Sequence, residues 1–130
     1  MNKDAQVQAV GMRETVLIVD DHDGFRRSMR RMLEREGYDI VGEAVDGRSA
    51  IAEALRLKPD IALVDIRLPD IDGFAVAKAL RAAGSARSIL LISTRQRVDH
   101  GERLASSDAD GFIEKSDLSA RTIAAIVHGS

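Results

Sequence analysis

The chain has 130 residues, enough for one domain with a single hydrophobic core. Its net charge of -2 excludes a bulk attraction to nucleic acid or to an anionic membrane, and the lack of cysteine excludes disulfides, thiol catalysis and cysteine-based zinc sites. No apolar stretch is long enough to span a bilayer, and residues 1–13 lack the apolar stretch of a signal peptide. We therefore expect a cytoplasmic protein with a flexible tail over residues 1–13 and one domain over residues 14–130.

Strand-like and helix-like segments alternate along the chain. The predicted strands are Thr15–Val19, Asp39–Ala44, Ile61–Val64, Ser88–Ile92 and Phe112–Ile113. The first predicted helix carries Phe25 to Leu33 and ends at Gly37, and the second starts at a cap formed by Asp46 or Ser49 and ends before Pro59. The other three predicted helices span Phe74 to Ala83, Arg97 to Ser107 and Leu118 to His128. Strict alternation of five strands and five helices predicts right-handed crossovers and a three-layer α/β sandwich.

Three aspartates stand where two apolar runs end. Asp20 and Asp21 follow the run Val16–Val19, and Asp65 follows the run Ile61–Val64. Such runs are typical of buried strands in a parallel sheet, which binds its ligands at the carboxyl ends of the strands. Because gathered carboxylates repel one another, we expect a hard cation such as Mg²⁺ (or Mn²⁺) to hold them, an arrangement suited to handling phosphate. Taken alone, the acidic pair is equally well explained as a turn and helix cap.

Two further polar residues follow predicted strands, Ser93 after the fourth and Lys115 after the fifth. With them, the chain resembles the receiver domain of bacterial two-component response regulators. The matching stretches are Val-Leu-Ile-Val-Asp-Asp-His (16–22), Asp-Ile-Ala-Leu-Val-Asp-Ile-Arg-Leu-Pro-Asp-Ile-Asp-Gly (60–73) and Gly-Phe-Ile-Glu-Lys-Ser (111–116), and the resemblance covers about residues 14 to 128. It implies a flavodoxin-like (βα)5 doubly wound fold with a parallel five-stranded sheet in the order 2-1-3-4-5.

The resemblance also implies a phosphoacceptor and its metal ligands. Asp65 is expected to attack the phosphorus of a phosphohistidine on a sensor histidine kinase or a histidine phosphotransfer protein. Mg²⁺ is expected to bind Asp21, Asp65 and the backbone carbonyl of Arg67, with Asp20 holding the ion through water.

Three other residues are expected to contact the phosphoryl oxygens: Lys115 as a cation, Ser93 through its hydroxyl and Thr94 through its backbone N–H. The switch that the resemblance implies moves Ser93 toward the phosphoryl group and lets the ring of Phe112 swing inward. A downstream protein would then bind the changed surface of the fourth helix, fifth strand and fifth helix, which is also a candidate surface for a phosphorylation-dependent homodimer.

Two arginines and three histidines complete the predictions. Arg67 and Arg95 occupy positions that, in the family, flank the path of the hydrolytic water. We hypothesise that these cations slow hydrolysis of the acyl phosphate; the alternative is that both side chains point to solvent. The remaining candidates are predicted to be ordinary surface residues: His22, His100 and His128.

Several function classes remain open. The leading interpretation is a stand-alone receiver, since the last predicted helix takes up the rest of the chain, with no direct binding of nucleic acid or membrane. Gly129-Ser130 alternatively begins a linker, which would make the chain the receiver fragment of a larger DNA-binding transcriptional regulator. An enzyme is the other class, because Asp21-His22-Asp23 has the spacing of a Mg²⁺-dependent phosphohydrolase. A degenerate receiver that binds proteins without phosphorylation is a further alternative.

Overall fold

The computed structural model describes residues 13–129. The strands are β1 (Thr15–Val19), β2 (Asp39–Ala44), β3 (Ile61–Asp65), β4 (Ser88–Ser93) and β5 (Gly111–Glu114). The helices are α1 (Asp23–Arg35), α2 (Gly47–Leu57), α3 (Gly73–Ala83), α4 (Glu102–Ala105) and α5 (Ala120–Val127). All five strands run parallel in one sheet of order β2-β1-β3-β4-β5, which confirms the predicted flavodoxin-like fold. Apart from Arg13, the predicted tail over residues 1–13 lies outside the described residues.

Both faces of the sheet are covered by apolar layers, and the side chains of the strands alternate between them. In β1, Leu17 and Val19 pack in the layer that contains α2 and α3, whereas Val16 and Ile18 pack in the layer that contains α1 and α5. The central strands β3 and β4 are buried along their whole length. A sheet covered on both sides needs continuous apolar strands, and this explains why their polar side chains stand at the strand ends. Within residues 13–129, no helix has the length and apolarity that crossing a membrane requires.

Two aspartates fasten the amino-terminal edge of the sheet. The Asp60 carboxylate accepts hydrogen bonds from the backbone N–H of Thr15 (2.9 Å) and from its hydroxyl (3.2 Å). The Asp110 carboxylate accepts the backbone N–H of Ile89 (2.7 Å) and pairs with Arg81 (2.7 Å). These contacts join β1 to the residue before β3, and β4 to the residue before β5, so they hold neighbouring strands in register.

The fourth helix differs from the prediction. A single helix was expected over Arg97–Ser107, but the structure has a 3-10 turn at Arg97–Asp99 and then the one-turn helix α4. Gly101, between them, has a φ of 53° and a ψ of -133°. This conformation is open to glycine and stops the propagation of a right-handed helix, so the segment folds as two short pieces.

Several element ends also differ from the prediction. Asp65 and Ser93 are the last residues of β3 and β4 rather than the residues that follow them. The last helix begins at Ala120 instead of Leu118, because the Ser119 hydroxyl caps it by accepting the backbone N–H of Thr122 (3.1 Å).

Asp46, one of the two predicted caps of α2, is its N-cap. Its carboxylate accepts the backbone N–H of Ser49 at 2.8 Å. Asp70, from the loop after β3, accepts the next two free N–H groups of that helix, from Gly47 (2.7 Å) and Arg48 (2.9 Å). The loop that leaves β3 is therefore tied to the start of α2.

Gly73 is predicted to be essential to the packing of α3 against the end of β3. A Cβ atom there would lie 2.5 Å from the Asp65 carbonyl oxygen and 2.8 Å from the Ile66 Cα. Gly73→Ala is expected to lower the free energy of unfolding by about 1–3 kcal/mol, because backbone atoms must move to relieve this overlap. Gly24→Ala is the matched control, since its Cβ would meet no atom nearer than 3.8 Å. Urea denaturation measures both variants, and equal stability would contradict the argument.

Candidate functional site

Three carboxylates lie together at the carboxyl edge of the sheet. One carboxylate oxygen from each of Asp20, Asp21 and Asp65 lies within 4.8 Å of the other two. They meet because β1 and β3 are neighbours, so that the residues after Val19 and at the end of β3 share one edge. Asp20 and Asp65 are buried, whereas Asp21 is exposed. The acidic group is therefore built into the core on one side and reachable from solvent on the other.

Lys115 is the cation that faces this acidic group. Its Nζ atom lies 2.6 Å from Asp20 Oδ2 and 3.1 Å from Asp65 Oδ2. The same atom stands 4.4 Å from the centre of the Phe25 ring, which offers its electron-rich face to the ammonium group. Burial by itself lowers the pKa of Lys115, but the contacts with Asp20 and Asp65 outweigh that effect and raise it, so the ammonium group stays charged.

Asp65 carries the marks of a crowded, partly desolvated acid. Burial raises its pKa, and the charge of Asp20 adds to this effect; Lys115 and the backbone N–H of Arg67, 3.2 Å from Asp65 Oδ1, act in the opposite direction. The rise in pKa prevails, because burial and the charge of Asp20 together outweigh the ammonium group of Lys115 and the N–H of Arg67. The ionised form of Asp65 is therefore electrostatically under-compensated by the protein alone.

The residues present fit a divalent cation. Asp20 Oδ2 is buried, and its close partner among the described residues is the ammonium group of Lys115, 2.6 Å away. The potential ligands are carboxylate oxygens, which are hard donors preferred by Mg²⁺ and Mn²⁺. The pattern of oxygen atoms and the excess of negative charge thus both agree with the predicted metal.

Ser93 points to a partner that the sequence did not indicate. Its side chain is buried at the end of β4, where the hydroxyl oxygen accepts the backbone N–H of Arg95 at 3.0 Å. The same oxygen lies 3.1 Å from Nε2 of His100. Thr94 and Arg95 follow in an exposed loop, and Arg67 is exposed after β3. The structure thus places all four residues at the correct edge of the sheet, with the hydroxyl of Ser93 engaged by His100.

Phe112 is buried in β5, with only 7% of its surface exposed. Its ring lies 5.5 Å from the ring of His100 in an edge-to-face arrangement, and the guanidinium group of Arg97 stands 5.4 Å from its centre. The ring is therefore packed against the segment that follows β4.

His100 was wrongly predicted to be an ordinary surface residue, whereas His22 and His128 are exposed as expected. It is half-buried between Phe74 and Phe112, with its Nε2 against Ser93. No sequence pattern marks it, because the segment is predicted as one weakly amphipathic helix. The imidazole lies in the turn between Arg97–Asp99 and α4, just before Gly101.

The strand order and the acidic edge with its lysine define a receiver-like α/β domain. The chain belongs to the response regulator receiver domain family, whose model matches residues 16–127. It is thus a receiver domain of the kind found in two-component response regulators.

Curated relatives share the domain and extend beyond it. A candidate transcriptional regulator of Pseudomonas aeruginosa is 37% identical over 102 residues, which is 78% of this chain and 49% of that protein. The DNA-binding transcriptional activator EvgA of Escherichia coli is 31% identical over 110 residues, or 85% of this chain and 54% of the activator. The chain therefore spans about half the length of these relatives.

Solved structures agree with the fold. A two-component response regulator of the LuxR family from Aurantimonas has a TM-score of 0.79 at 28% identity, covering 90% of this chain and 86% of that one. The signal receiver domain of a modulated diguanylate cyclase from Desulfovibrio desulfuricans has a TM-score of 0.78 at 33% identity, covering 90% and 95%. Similar receiver domains are thus found both in a LuxR-family response regulator and in a modulated diguanylate cyclase.

Asp65→Asn is expected to raise the free energy of unfolding near neutral pH without divalent cations. Because burial and the charge of Asp20 raise the pKa of Asp65 above its ordinary 3.8, folding disfavours its ionised form. Wild-type stability therefore falls as the pH rises from 3.8 through the folded-state pKa, and the asparagine variant lacks this loss. The gain should be small in acid and grow as the pH rises through that window.

Asp39→Asn is the control for this comparison, because Asp39 is an exposed acid at the start of β2, on the opposite edge of the sheet. Urea denaturation across the pH range measures all three proteins. An Asp65→Asn variant less stable than wild type near neutral pH would contradict the electrostatic argument.

Proposed function

We propose that this receiver domain accepts a phosphoryl group from a phosphohistidine onto Asp65, with Mg²⁺ (or Mn²⁺), and thereby switches a protein-interaction surface in two-component signal transduction. The observation that carries this proposal is the environment of Asp65. This carboxylate has an ammonium group 3.1 Å away on Lys115 and two further carboxylates within 4.8 Å. A nucleophile, a phosphate-binding cation and a set of metal ligands thus share one edge of the sheet.

The proposed transfer is a displacement at phosphorus. A carboxylate oxygen of Asp65 attacks, so the new O–P bond forms as the P–N bond to the donor histidine breaks and its electron pair returns to the imidazole nitrogen. An ionised carboxylate needs no base to remove a proton. Lys115 would exchange its contact with Asp65 for one with a phosphoryl oxygen, and its unbranched stem suits a charge that has to move.

Other groups of the chain would stabilise the phosphoryl oxygens. The hydroxyl of Ser93 and the backbone N–H of Thr94 are at the end of β4, next to β3 in the sheet. Preorganised donors of this kind typically contribute about 3–4 kcal/mol at a developing negative charge. In the phosphorylated protein the same contacts would hold the altered conformation, because the acyl phosphate persists.

The metal ligands would be Asp20, Asp21, Asp65 and the backbone carbonyl of Arg67, with Asp20 acting through water. A bound divalent cation would neutralise part of the charge that spreads over the phosphoryl oxygens. The convergence of three carboxylates and the raised pKa of Asp65 support this assignment.

The partners follow from the same chemistry. The donor would be a sensor histidine kinase or a histidine phosphotransfer protein, and α4, β5 and α5 would form the surface that a downstream protein or a second copy of the domain binds. Phe112 lies in β5 and contacts Arg97 and His100, so a movement of its ring would change this surface.

A second candidate is the receiver segment of a DNA-binding transcriptional regulator. It is supported by relatives described as transcriptional regulators, of which this chain spans about half. The mass of the protein isolated from its native source distinguishes this candidate from a stand-alone receiver.

The structure does not favour a phosphohydrolase. Its spacing would require Asp23 to act together with Asp21. Asp23 is the first residue of α1, is largely exposed and pairs with Arg26. The carboxylates that join Asp21 are instead those of Asp20 and of Asp65 from β3. We therefore propose a phosphoacceptor that assists its own phosphorylation and dephosphorylation, and not a turnover enzyme.

Acetyl phosphate with Mg²⁺ is expected to add one phosphoryl group to the wild type and none to Asp65→Asn, because the amide nitrogen and oxygen are poor nucleophiles. Intact-protein mass spectrometry measures the product. Asp39→Asn, at the opposite edge of the sheet, should be labelled like the wild type. Labelling of Asp65→Asn to the wild-type extent, or steady turnover of p-nitrophenyl phosphate, would contradict the proposal.

Arg67→Ala/Arg95→Ala is expected to shorten the lifetime of the acyl phosphate severalfold. The side chains of both arginines are exposed at the carboxyl edge, where their bulk and charge would hinder the attacking water and retain the anion. Decay of the phosphorylated protein is followed by intact mass. Arg87→Ala, an exposed arginine at the amino-terminal edge before β4, is the control. Equal or slower decay in the double variant would refute the hypothesis that the two arginines slow hydrolysis.

A further inference from the structure

The ring of His100 connects the end of β4 with the aromatic side chain of β5. Its Nε2 lies 3.1 Å from the Ser93 hydroxyl oxygen, and its ring meets Phe112 edge-to-face at 5.5 Å and Phe74 at 6.2 Å. One imidazole therefore touches two residues of the proposed switch, Ser93 and Phe112.

The hydroxyl of Ser93 can accept one hydrogen bond and donate another. Its oxygen accepts the backbone N–H of Arg95 at 3.0 Å, which leaves the hydroxyl hydrogen free to be donated to Nε2 of a neutral imidazole. Burial lowers the pKa of His100, and the nearby charges of Arg95 and Arg103 also lower it against the opposing charge of Asp99, so the neutral ring is favoured. Ser93 is almost fully buried, and a buried hydroxyl that leaves such a partner needs a replacement.

The segment that carries His100 is attached to both rings. Arg103 pairs with Asp72 at 2.6 Å and lies 4.2 Å above the centre of the Phe74 ring. On the other side, Arg97 stacks over Phe112 and donates a long hydrogen bond to its carbonyl oxygen at 3.5 Å. The position of the imidazole is therefore coupled to the packing of the whole segment between Arg97 and α4.

We propose that His100 is a positioning residue that holds the Ser93 hydroxyl away from the phosphoryl site until a phosphoryl oxygen replaces its Nε2 as partner. This inference rests on the proposed function of Asp65. The exchange would release His100 from Ser93 and leave it free to move with Phe112 and α4. The chemistry of phosphorylation would thus reach the docking surface through the imidazole as well as through the phenylalanine ring.

Beryllofluoride with Mg²⁺ is the probe, and its apparent Kd is measured by isothermal titration calorimetry. His100→Phe keeps an aromatic ring between Phe74 and Phe112 but removes the partner of Ser93. Its Kd is expected to be about three- to tenfold lower than that of the wild type, the equivalent of one ordinary hydrogen bond that no longer has to be broken. His100→Gln, which can restore a polar atom near Ser93, is expected to return the Kd toward the wild-type value.

Two controls separate this role from general packing. In a Ser93→Ala background, His100→Phe should leave the Kd unchanged, because the contact to be broken is already absent. His128→Phe, which removes an exposed imidazole that pairs with Glu14, should also have no effect. An unchanged or higher Kd in His100→Phe, or the same reduction in the Ser93→Ala background, overturns the positioning role while Asp65-dependent binding by the wild type still supports the proposed function. If the wild type does not bind beryllofluoride more tightly than Asp65→Asn does, both the positioning role and the proposed function are overturned.

Discussion

Mutual repulsion among Asp20, Asp21 and Asp65 is the constraint around which the carboxyl edge of the sheet is organised. The pairing of β1 with β3 places these acids side by side, and two of them are buried. Water therefore screens them poorly. Among the described residues, Lys115 is the cation that pairs with the carboxylates of Asp20 and Asp65, and it also lies over the ring of Phe25. The remaining negative charge is what makes this edge suited to a divalent ion.

The features that could be predicted from the sequence are those that obey the geometry of a parallel sheet. Apolar runs predict β1 and β3, and the rule that such strands end at one edge of the sheet predicts the observed cluster of Asp20, Asp21 and Asp65. The position of Lys115 after β5 was read in the same way. The order of the strands was different, because alternation alone permits several orders and only the family resemblance selected 2-1-3-4-5.

The parts that escaped prediction depend on contacts between segments that have no pattern of their own. The segment 97–107 contains enough helix formers to be predicted as one helix. The φ of 53° at Gly101 that divides it is set by tertiary structure and not by local helix propensity. The sequence of this segment does not mark His100 as functional, yet in the divided segment its imidazole lies against the hydroxyl of Ser93. Phe25 is predicted from its spacing to be an apolar residue of α1, but its second contact joins that helix to the ammonium group of Lys115, the residue after β5. Hydrophobic periodicity does not predict contacts of this kind, which single side chains make between segments that are distant in sequence.

The two carboxylates at the amino-terminal edge have a consequence for the opposite end of the strands. Asp60 binds Thr15, and Asp110 binds Ile89, so β1 and β4 are each anchored where they begin. The repulsion among the carboxylates at the carboxyl edge therefore acts on strands whose starting ends are held in register. The starts of β1 and β4 are thus fixed by hydrogen bonds, so we expect adjustments near the crowded carboxylates to occur in the loops and short helical turns that follow the strands.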